Sequence, residues 1–283
     1  MSRATVIDGH KVYIGDQRLI GDYVVRYEDF SDEVTSATDL GTMGWVATDI
    51  GTSSFATTVE HANNYLLLDC GATADKGVEL QLLTDTTATH TNRPHKSLGP
   101  MTSTEPLMDN REMFFFTRVG FAGIDAAWTS KFLIGWCVTD TSLLSPTTGA
   151  TSITTGGGLF FHYGETADVQ FGAQRKAASA STTSVGTALG GDSFADTSVI
   201  GQWIELGFHA VWSDASDDAD NGTVNAYVNG ALVATDNNNL PMASTQTYGL
   251  SIAAINSPAT SNQLDVGVDY VIHGISRPGI TTT

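Results

Sequence analysis

The segment "NGTVNAYVNGALVAT", Asn221 to Thr235, constrains the fold more than any other part of the sequence. Apolar and polar residues alternate on either side of its second Asn-Gly pair, which is the pattern of half-buried strands. Asn-Gly is favoured in two-residue hairpin turns because both central positions need a positive φ. The segment therefore predicts a β-hairpin, and its first Asn-Gly pair is predicted to end the preceding loop.

The rest of the chain has the composition of a turn-rich β protein. Of its 283 residues, 41% are apolar, only 16% are charged and 29 are glycine. Apolar runs of strand length recur between turn residues, as in Tyr65 to Cys70, Val78 to Leu83 and Phe114 to Phe121. The patterning predicts about a dozen short strands and no amphipathic helix longer than about three turns. We expect an all-β fold, an antiparallel β-sandwich built as one large domain.

The chain divides into three parts by composition. Residues 1–26 have short apolar bursts broken by Asp-Gly and Gly-Asp, too few to close a core, so they predict an N-terminal arm or an edge hairpin. An ordinary N-terminal strand fits the same residues. Residues 27–277 are assigned to the sandwich and 278–283 to a C-terminal tail. Within the sandwich, 84–112 and 177–198 are predicted long loops.

The charge balance excludes one class of partner. The chain has 31 acidic and 13 basic residues, a formal net charge of −18, which argues against a surface that neutralises nucleic-acid phosphates. No leader-like segment and no long apolar stretch is present, so we expect synthesis in a cytoplasm and no membrane partner. Cys70 and Cys137 lie in apolar runs and are predicted to be buried, reduced thiols.

Two segments are candidate contact surfaces for a protein partner. The loop 84–112 concentrates positive charge on an otherwise acidic chain, and the N-terminal arm carries a short apolar run. Extended arms can add strands to the sheet edges of a neighbour. The candidate contact residues are Arg93, His95, Lys96 and Arg111 in the loop, and Val12, Tyr13 and Ile14 in the arm.

An acidic segment, "SDASDDADNG", is a candidate calcium site. Calcium prefers clustered oxygen ligands, but the glycine position and the missing final glutamate do not fit an EF-hand. A solvated loop before the hairpin is the alternative interpretation. The candidate ligands are Asp214, Asp217, Asp218 and Asp220.

Catalysis is not expected from the sequence. Retaining glycosidases need two carboxylates about 5–5.5 Å apart, which a Glu-x-Asp-x-x-Glu strand can supply. Neither Glu79 nor Glu205, the two glutamates within predicted strands, has a second acid at that sequence spacing. His162-Tyr163 and His209 would suit a polysaccharide lyase, but the matching lyase motifs are missing. We therefore expect a protein that is not an enzyme.

The tryptophans are the residues best suited to stack on sugar rings. Trp136, Trp203 and Trp212 occupy apolar strand positions and are predicted to lie in the core. Trp128, in "DAAWTSK", is predicted to be exposed.

Four sequence segments carry a resemblance to a known superfamily. The runs "WIELGFHAVW" and "GTVNAYVNGALVAT", the ending "LDVGVDYVIHGI" and the opening "YEDFSD" resemble concanavalin A-like lectins, laminin-G domains and glucanases. The resemblance implies a jelly roll of two large curved sheets over most of the chain. It says little about function, because this fold carries lectins, hydrolases, lyases and structural modules.

A second resemblance concerns the role of the protein. The pattern W-x-x-x-D-x-G-T followed by L-x-L-D-C-G-A-T, from Trp45 to Thr73, is similar to virion proteins that decorate the capsids of tailed phages. It implies a structural capsid decoration protein on the virion surface, bound to the major capsid protein and to neighbouring copies, with a trimer favoured. The alternatives are a lectin-like carbohydrate-binding module of a phage fibre or surface protein, and a diverged glycan-cleaving enzyme.

Overall fold

The computed structural model describes the sheets of the protein and some of the connections between them. The described residues are 3–7, 10–14, 23–28, 30, 45–51, 59–62, 65–70, 73–82, 112–122, 130–138, 143–144, 157–163, 169–174, 181–184, 203–213, 222–237, 240, 248–256 and 264–276. Within these ranges every regular element is a β-strand or bridge, and no helix occurs.

The described residues form seventeen strands. The first six are β1 Arg3–Ile7, β2 His10–Ile14, β3 Tyr23–Glu28, β4 Val46–Gly51, β5 Val59–Ala62 and β6 Tyr65–Asp69. The next six are β7 Lys76–Gln81, β8 Glu112–Ala122, β9 Lys131–Val138, β10 Gly158–Tyr163, β11 Gln170–Gln174 and β12 Ser181–Ser184. The last five are β13 Trp203–Trp212, β14 Gly222–Val228, β15 Ala231–Asp236, β16 Tyr248–Ile255 and β17 Asp265–Ser276.

The strands pair antiparallel into two large sheets and one small one. The seven-stranded sheet has the order β12-β11-β10-β9-β16-β7-β4. The eight-stranded sheet has the order β15-β14-β13-β8-β17-β6-β5, with β3 also paired to β17. Strands β1 and β2 form a separate two-stranded sheet. The predicted all-β antiparallel sandwich is confirmed.

Aromatic side chains from both large sheets form the core between them. Trp136 of β9 meets Trp212 of β13 edge to face, with ring centroids 6.0 Å apart. Phe132 of β9 meets Phe121 of β8 in the same way at 5.0 Å. Each large apolar side chain buried in this way contributes roughly 1.5–3 kcal/mol. The contacts join the two sheets directly and define the inner face of each.

Both cysteines are buried among apolar residues, as predicted. Cys70 and Cys137 are fully buried and are not in a disulfide. Burial raises the pKa of each thiol above its ordinary value, and nearby carboxylates, Asp265 for Cys70 and Glu79 for Cys137, raise it further. Both thiols are therefore protonated and unreactive near neutral pH.

The hairpin predicted for Asn221 to Thr235 is also confirmed. Strands β14 and β15 are joined by Asn229 and Gly230, whose φ values are 49° and 77°. Two positive φ values are the requirement of the turn type that Asn-Gly favours.

Strand β17 has a β-bulge that changes which side chains it directs outward. The register with β8 shifts between Val268 and Tyr270, and Val268 and Val271 on either side both face the core. Strand β6 pairs with β17 before the bulge and β3 pairs with it after the bulge. The extra residue of a bulge re-aims its neighbours, so Asp269 and Tyr270 both lie on the outer face.

Two details of the structure differ from the sequence-based expectations, and a third concerns the predicted domain boundary. The strands number seventeen in the described residues, more than the dozen expected. Strand β12 lies inside the predicted loop 177–198, because its polar Ser and Thr residues pair with β11 without any apolar alternation. The proposed boundary between residues 26 and 27 falls inside β3, which pairs with β17.

Candidate functional site

The outer face of the eight-stranded sheet carries partly exposed aromatic and charged side chains that are suited to bind a ligand. Along β13, Ile204, Leu206 and Phe208 belong to the core, whereas Trp203 is only partly buried and Glu205 is exposed. Strand alternation therefore directs Trp203 and Glu205 away from the core. We call the group around them the outer-face cluster; its members are Tyr65, Arg118, Trp203, Glu205, Asp269 and Tyr270.

Two aromatic rings of the outer-face cluster meet above glycines. Trp203 on β13 and Tyr65 on β6 are three strands apart, about 14 Å at the usual strand spacing, yet their rings meet edge to face with centroids 5.1 Å apart. Between them, Gly120 of β8 lies opposite Trp203 and is itself paired with Gly267 of β17. Because neither glycine has a side chain, the rings can extend toward each other across the sheet.

Arg118 of β8 links the rings to the charged part of the cluster. Its guanidinium carbon lies 5.2 Å from the centroid of the Trp203 ring, which is cation–π geometry. Its Nη1 atom donates to Oδ2 of Asp269 at 3.0 Å, with the two side chains 40% and 22% exposed. Arg118 is also the cross-strand partner of Glu205. The guanidinium is thus held between an aromatic ring and one carboxylate, and remains accessible.

Tyr270 is fixed at the bulge of β17 and contacts Glu205. The Thr117 hydroxyl donates to the backbone oxygen of Tyr270 at 2.7 Å in a buried position. The Tyr270 hydroxyl donates to Oε1 of Glu205 at 3.4 Å. Burial raises the pKa of the Tyr270 phenol, and the carboxylates of Glu205 and Asp269 raise it further. The phenol therefore stays protonated near neutral pH and serves as a donor.

Glu205 is also held through its main chain by the β14–β15 turn. Its N–H donates to Oδ1 of Asn229 at 3.0 Å, and the N–H of Asn229 donates to its carbonyl oxygen at 2.8 Å. In the described part of the chain no cation pairs with the Glu205 carboxylate, because Arg118 is paired with Asp269. The cluster thus presents an exposed carboxylate whose backbone is fixed at two points.

Together these groups provide an aromatic surface beside hydrogen-bonding groups of both kinds. Tyr and Trp rings offer large, rigid apolar area, Arg118 offers donors, and Glu205 and Asp269 offer acceptors. Charged donors and acceptors make the stronger hydrogen bonds. The arrangement suits a ligand with both an apolar face and many hydroxyl groups.

The outer face of the seven-stranded sheet has polar residues of a different kind. Glu79 is buried, and its Oε2 accepts from the N–H of Leu143 at 2.9 Å. Next to it, Nε2 of Gln81 donates to the hydroxyl oxygen of Ser251 at 2.9 Å, also in a buried position. Glu79 therefore ties a connection to the sheet and is not an accessible acid.

His162 lies on the same face, on strand β10, and is almost fully buried. Burial lowers its pKa from 6.5 to about 4, so the imidazole is neutral near pH 7. Its ring centroid lies 5.4 Å from that of Phe160.

The candidate contact and metal residues lie mostly beyond the described residues. Val12, Tyr13 and Ile14 are in β2, paired with β1. Among the described side chains, no group of three or more His, Cys, Asp or Glu is placed to hold a metal ion. Those outside the described residues are Arg93, His95, Lys96, Arg111, Trp128, Asp214, Asp217, Asp218 and Asp220.

The core placement predicted for Trp203 is wrong, and alternation explains why. Ile204, Leu206 and Phe208 are in the core, so Trp212 shares their phase and Trp203 does not. Trp136 and Trp212 do lie in the core. The apolar alternation of β13 is sufficient to predict that Trp203 faces outward. No local sequence pattern, however, relates Trp203 to Tyr65 or Arg118.

Known structures share this arrangement of sheets. An endo-1,3-beta-glucanase from Streptomyces sioyaensis superimposes with a TM-score of 0.51 at 11% sequence identity, over 91% of this chain and 98% of that chain. The fold is therefore a jelly-roll β-sandwich like that of this glucanase. A potassium-bound Emp46p carbohydrate recognition domain gives a TM-score of 0.48 at 10% identity, over 87% and 94% of the two chains. An endo-beta-1,4-glucuronan lyase from Trichoderma reesei gives 0.46 at 9% identity, over 88% and 94%.

Other comparisons give no further relationship. No protein-family model matches this chain, and no curated protein matches it. Across the described residues there is no helix with the length and apolar character needed to cross a membrane.

Proposed function

We propose that this protein is a lectin-like carbohydrate-binding protein and that a sugar ring binds at the outer-face cluster. The observation that carries the proposal is the placement of Trp203, Tyr65 and Arg118 together on an accessible sheet face. Sugars have an apolar C–H face that packs on aromatic rings and hydroxyls that need donors and acceptors at the rim. The jelly-roll fold is compatible with this role but does not select it.

Each polar member of the cluster has a distinct role in this proposal. Arg118 donates to sugar oxygens, while Glu205 and Asp269 accept from sugar hydroxyls. Tyr270 holds the carboxylate of Glu205 from one side, and the Asn229 turn holds its backbone from the other. A site fixed in this way loses little side-chain freedom on binding, which favours affinity.

We also propose that binding occurs without turnover. Glu79 is engaged by the N–H of Leu143, and Asp269 is engaged by Arg118. A retaining mechanism would require two free carboxylates facing one bond. Release of reducing sugar that Glu205→Gln abolished would instead support the diverged enzyme.

The test is direct binding of purified protein to a panel of oligosaccharides, followed by titration calorimetry on the best ligand. Trp203→Ala should weaken binding at least tenfold, which corresponds to about 1.4 kcal/mol, because it removes the central ring. Leu232→Ala is the matched control, since Leu232 is 57% exposed on β15 and lies outside the cluster. Unchanged affinity for Trp203→Ala would refute the site, and no binding to any glycan would refute the function.

A second function, the capsid decoration protein of a tailed phage, has one observation in its favour. Strands β1 and β2 form their own sheet, with Arg3 paired to Ile14 and Ile7 paired to His10. An isolated two-stranded hairpin is marginally stable in water, so this hairpin would gain stability by packing on a partner. The proposed partners are the major capsid protein and neighbouring copies, as a trimer on the virion surface.

This second proposal is tested by deleting residues 1–22, which removes β1 and β2 and leaves β3 intact. The deletion should abolish binding to empty phage shells and change the mass of the oligomer in solution. If the shortened chain binds shells and assembles as the full chain does, the decoration role of the arm is wrong.

A further inference from the structure

The chemistry of the outer-face cluster also indicates which glycans it selects. We infer that it prefers glycans carrying protonated amino groups, such as oligomers of glucosamine, over neutral and anionic glycans. This inference rests on the proposed carbohydrate-binding function and adds the ligand class.

The first argument is the state of the one arginine in the cluster. Arg118 is paired with Asp269 at 3.0 Å and lies over the Trp203 ring. A uronate or sulfate group would have to draw Arg118 away and leave the Asp269 carboxylate without its cation. That exchange gives no net ion pair, so an anionic substituent gains nothing from this arginine.

The second argument is the carboxylate of Glu205, which pairs with no cation among the described residues. Glu205 is exposed, and although Arg118 is its cross-strand partner, the arginine pairs with Asp269 instead. The contact that its carboxylate makes in the described part of the chain is with the Tyr270 hydroxyl. A ligand ammonium group at Glu205 would therefore form a new charge-assisted hydrogen bond without displacing a cation.

The third argument is the aromatic ring. Trp203 and Glu205 are two residues apart on β13 and lie on the same face, so a group bound at Glu205 also lies near the Trp203 ring. Aromatic faces attract cations through their quadrupole. An amino sugar seated between Trp203 and Glu205 would bring its charge within reach of both the ring and the carboxylate.

The charge of the surrounding face points the same way. By strand alternation, further carboxylates on the outer face of this sheet belong to Asp69, Glu112 and Asp265. The described cations on the face are Arg118 and, when protonated, His209, which lies 3.3 Å from Glu112. The whole chain has a formal net charge of −18. A local negative potential raises the concentration of cationic ligands at the surface and lowers that of anionic ones.

The experiment compares three oligosaccharides of equal length on the full chain by calorimetry. They are a glucosamine oligomer, its N-acetylated form and a uronate oligomer. We expect the glucosamine oligomer to bind about tenfold more tightly than the N-acetylated form, the effect of one charge-assisted hydrogen bond, with this advantage falling at higher salt. The uronate oligomer should bind most weakly.

Two variants separate the role of Glu205 from general charge. Glu205→Gln keeps an oxygen acceptor for Tyr270 but removes the charge, so it should weaken binding of the glucosamine oligomer more than binding of the N-acetylated oligomer and abolish the advantage of the former. Asp49→Asn removes one exposed charge from β4 in the other sheet and should leave the advantage intact. Equal loss in both variants would overturn the inference in favour of a general charge effect.

The outcomes also distinguish the inference from the function on which it rests. If the N-acetylated or uronate oligomer binds as tightly as the glucosamine oligomer, the ligand class is wrong while carbohydrate binding stands. If no oligomer binds and no other glycan does, the proposed function itself is overturned.

Discussion

The Asn229–Gly230 turn allows the contribution of a single side chain to Glu205 to be measured. Asn229 has two separable roles: it adopts φ of 49°, and its Oδ1 accepts from the N–H of Glu205 at 3.0 Å. Asn229→Gly should keep the backbone geometry and lose the hydrogen bond, about 1 kcal/mol of stability. Asn229→Ala should lose both, about 2 kcal/mol in total, because a left-handed alanine costs about 1 kcal/mol more.

Gly230→Ala measures the cost of a left-handed alanine separately from the hydrogen bond. Gly230 has φ of 77°, and a Cβ added there meets no atom within 4 Å. Its substitution therefore measures the backbone cost alone, about 1 kcal/mol. Urea unfolding gives all three values from the midpoints, provided the m-values are unchanged. If Asn229→Ala is no more destabilising than Gly230→Ala, the side-chain hydrogen bond contributes nothing and the argument that the turn positions Glu205 is refuted.

Three other measurements test the structure more broadly. His162 has its pKa lowered from 6.5 to about 4 by burial, so the unfolded chain binds a proton that the folded chain does not. The His162 contribution to the free energy of unfolding should therefore be complete above about pH 6.5 and fall toward pH 4, by up to about 3 kcal/mol. In His162→Asn, the free energy of unfolding measured with urea should depend less steeply on pH across this range. Thr117→Val should cost about 1–3 kcal/mol, because it leaves the buried backbone oxygen of Tyr270 without its 2.7 Å donor, whereas Thr117→Ser should remain near wild type in the same assay. Cys70 and Cys137 should resist a thiol reagent at neutral pH and react on unfolding, since both are fully buried; fast labelling of the folded chain would contradict their placement.

The features predictable from the sequence are those set by neighbouring residues. Asn229 and Gly230 determine the turn through their own backbone preferences, and the period-two patterns mark the long strands. Strand β12 was not predicted, because Ser181 to Ser184 include no apolar residue and form a strand only by pairing with β11. Local pattern was therefore sufficient for the fold class but not for every strand.

The outer-face cluster depends on strand order, which no local pattern contains. Arg118 and Asp269 are 151 residues apart in the chain, and Tyr270 and Glu205 are 65 apart. They meet because β8 lies between β13 and β17 and because the bulge turns Asp269 outward. Shifting either register by one residue would direct these side chains to the opposite face.

Strand β13 carries one tryptophan for each face, and this separates folding from binding. Trp212 is in the core, in edge-to-face contact with Trp136 across the sandwich. Trp203, at the other end of the strand, is partly exposed and rests over Gly120 against Tyr65. Removing a core aromatic leaves a cavity and costs about 3–5 kcal/mol, whereas a ring that keeps one side in water leaves no enclosed cavity when removed. We therefore expect the aromatic pair on the outer face to contribute less to stability than a core pair, so that Trp203→Ala tests the proposed ligand binding without unfolding the sandwich.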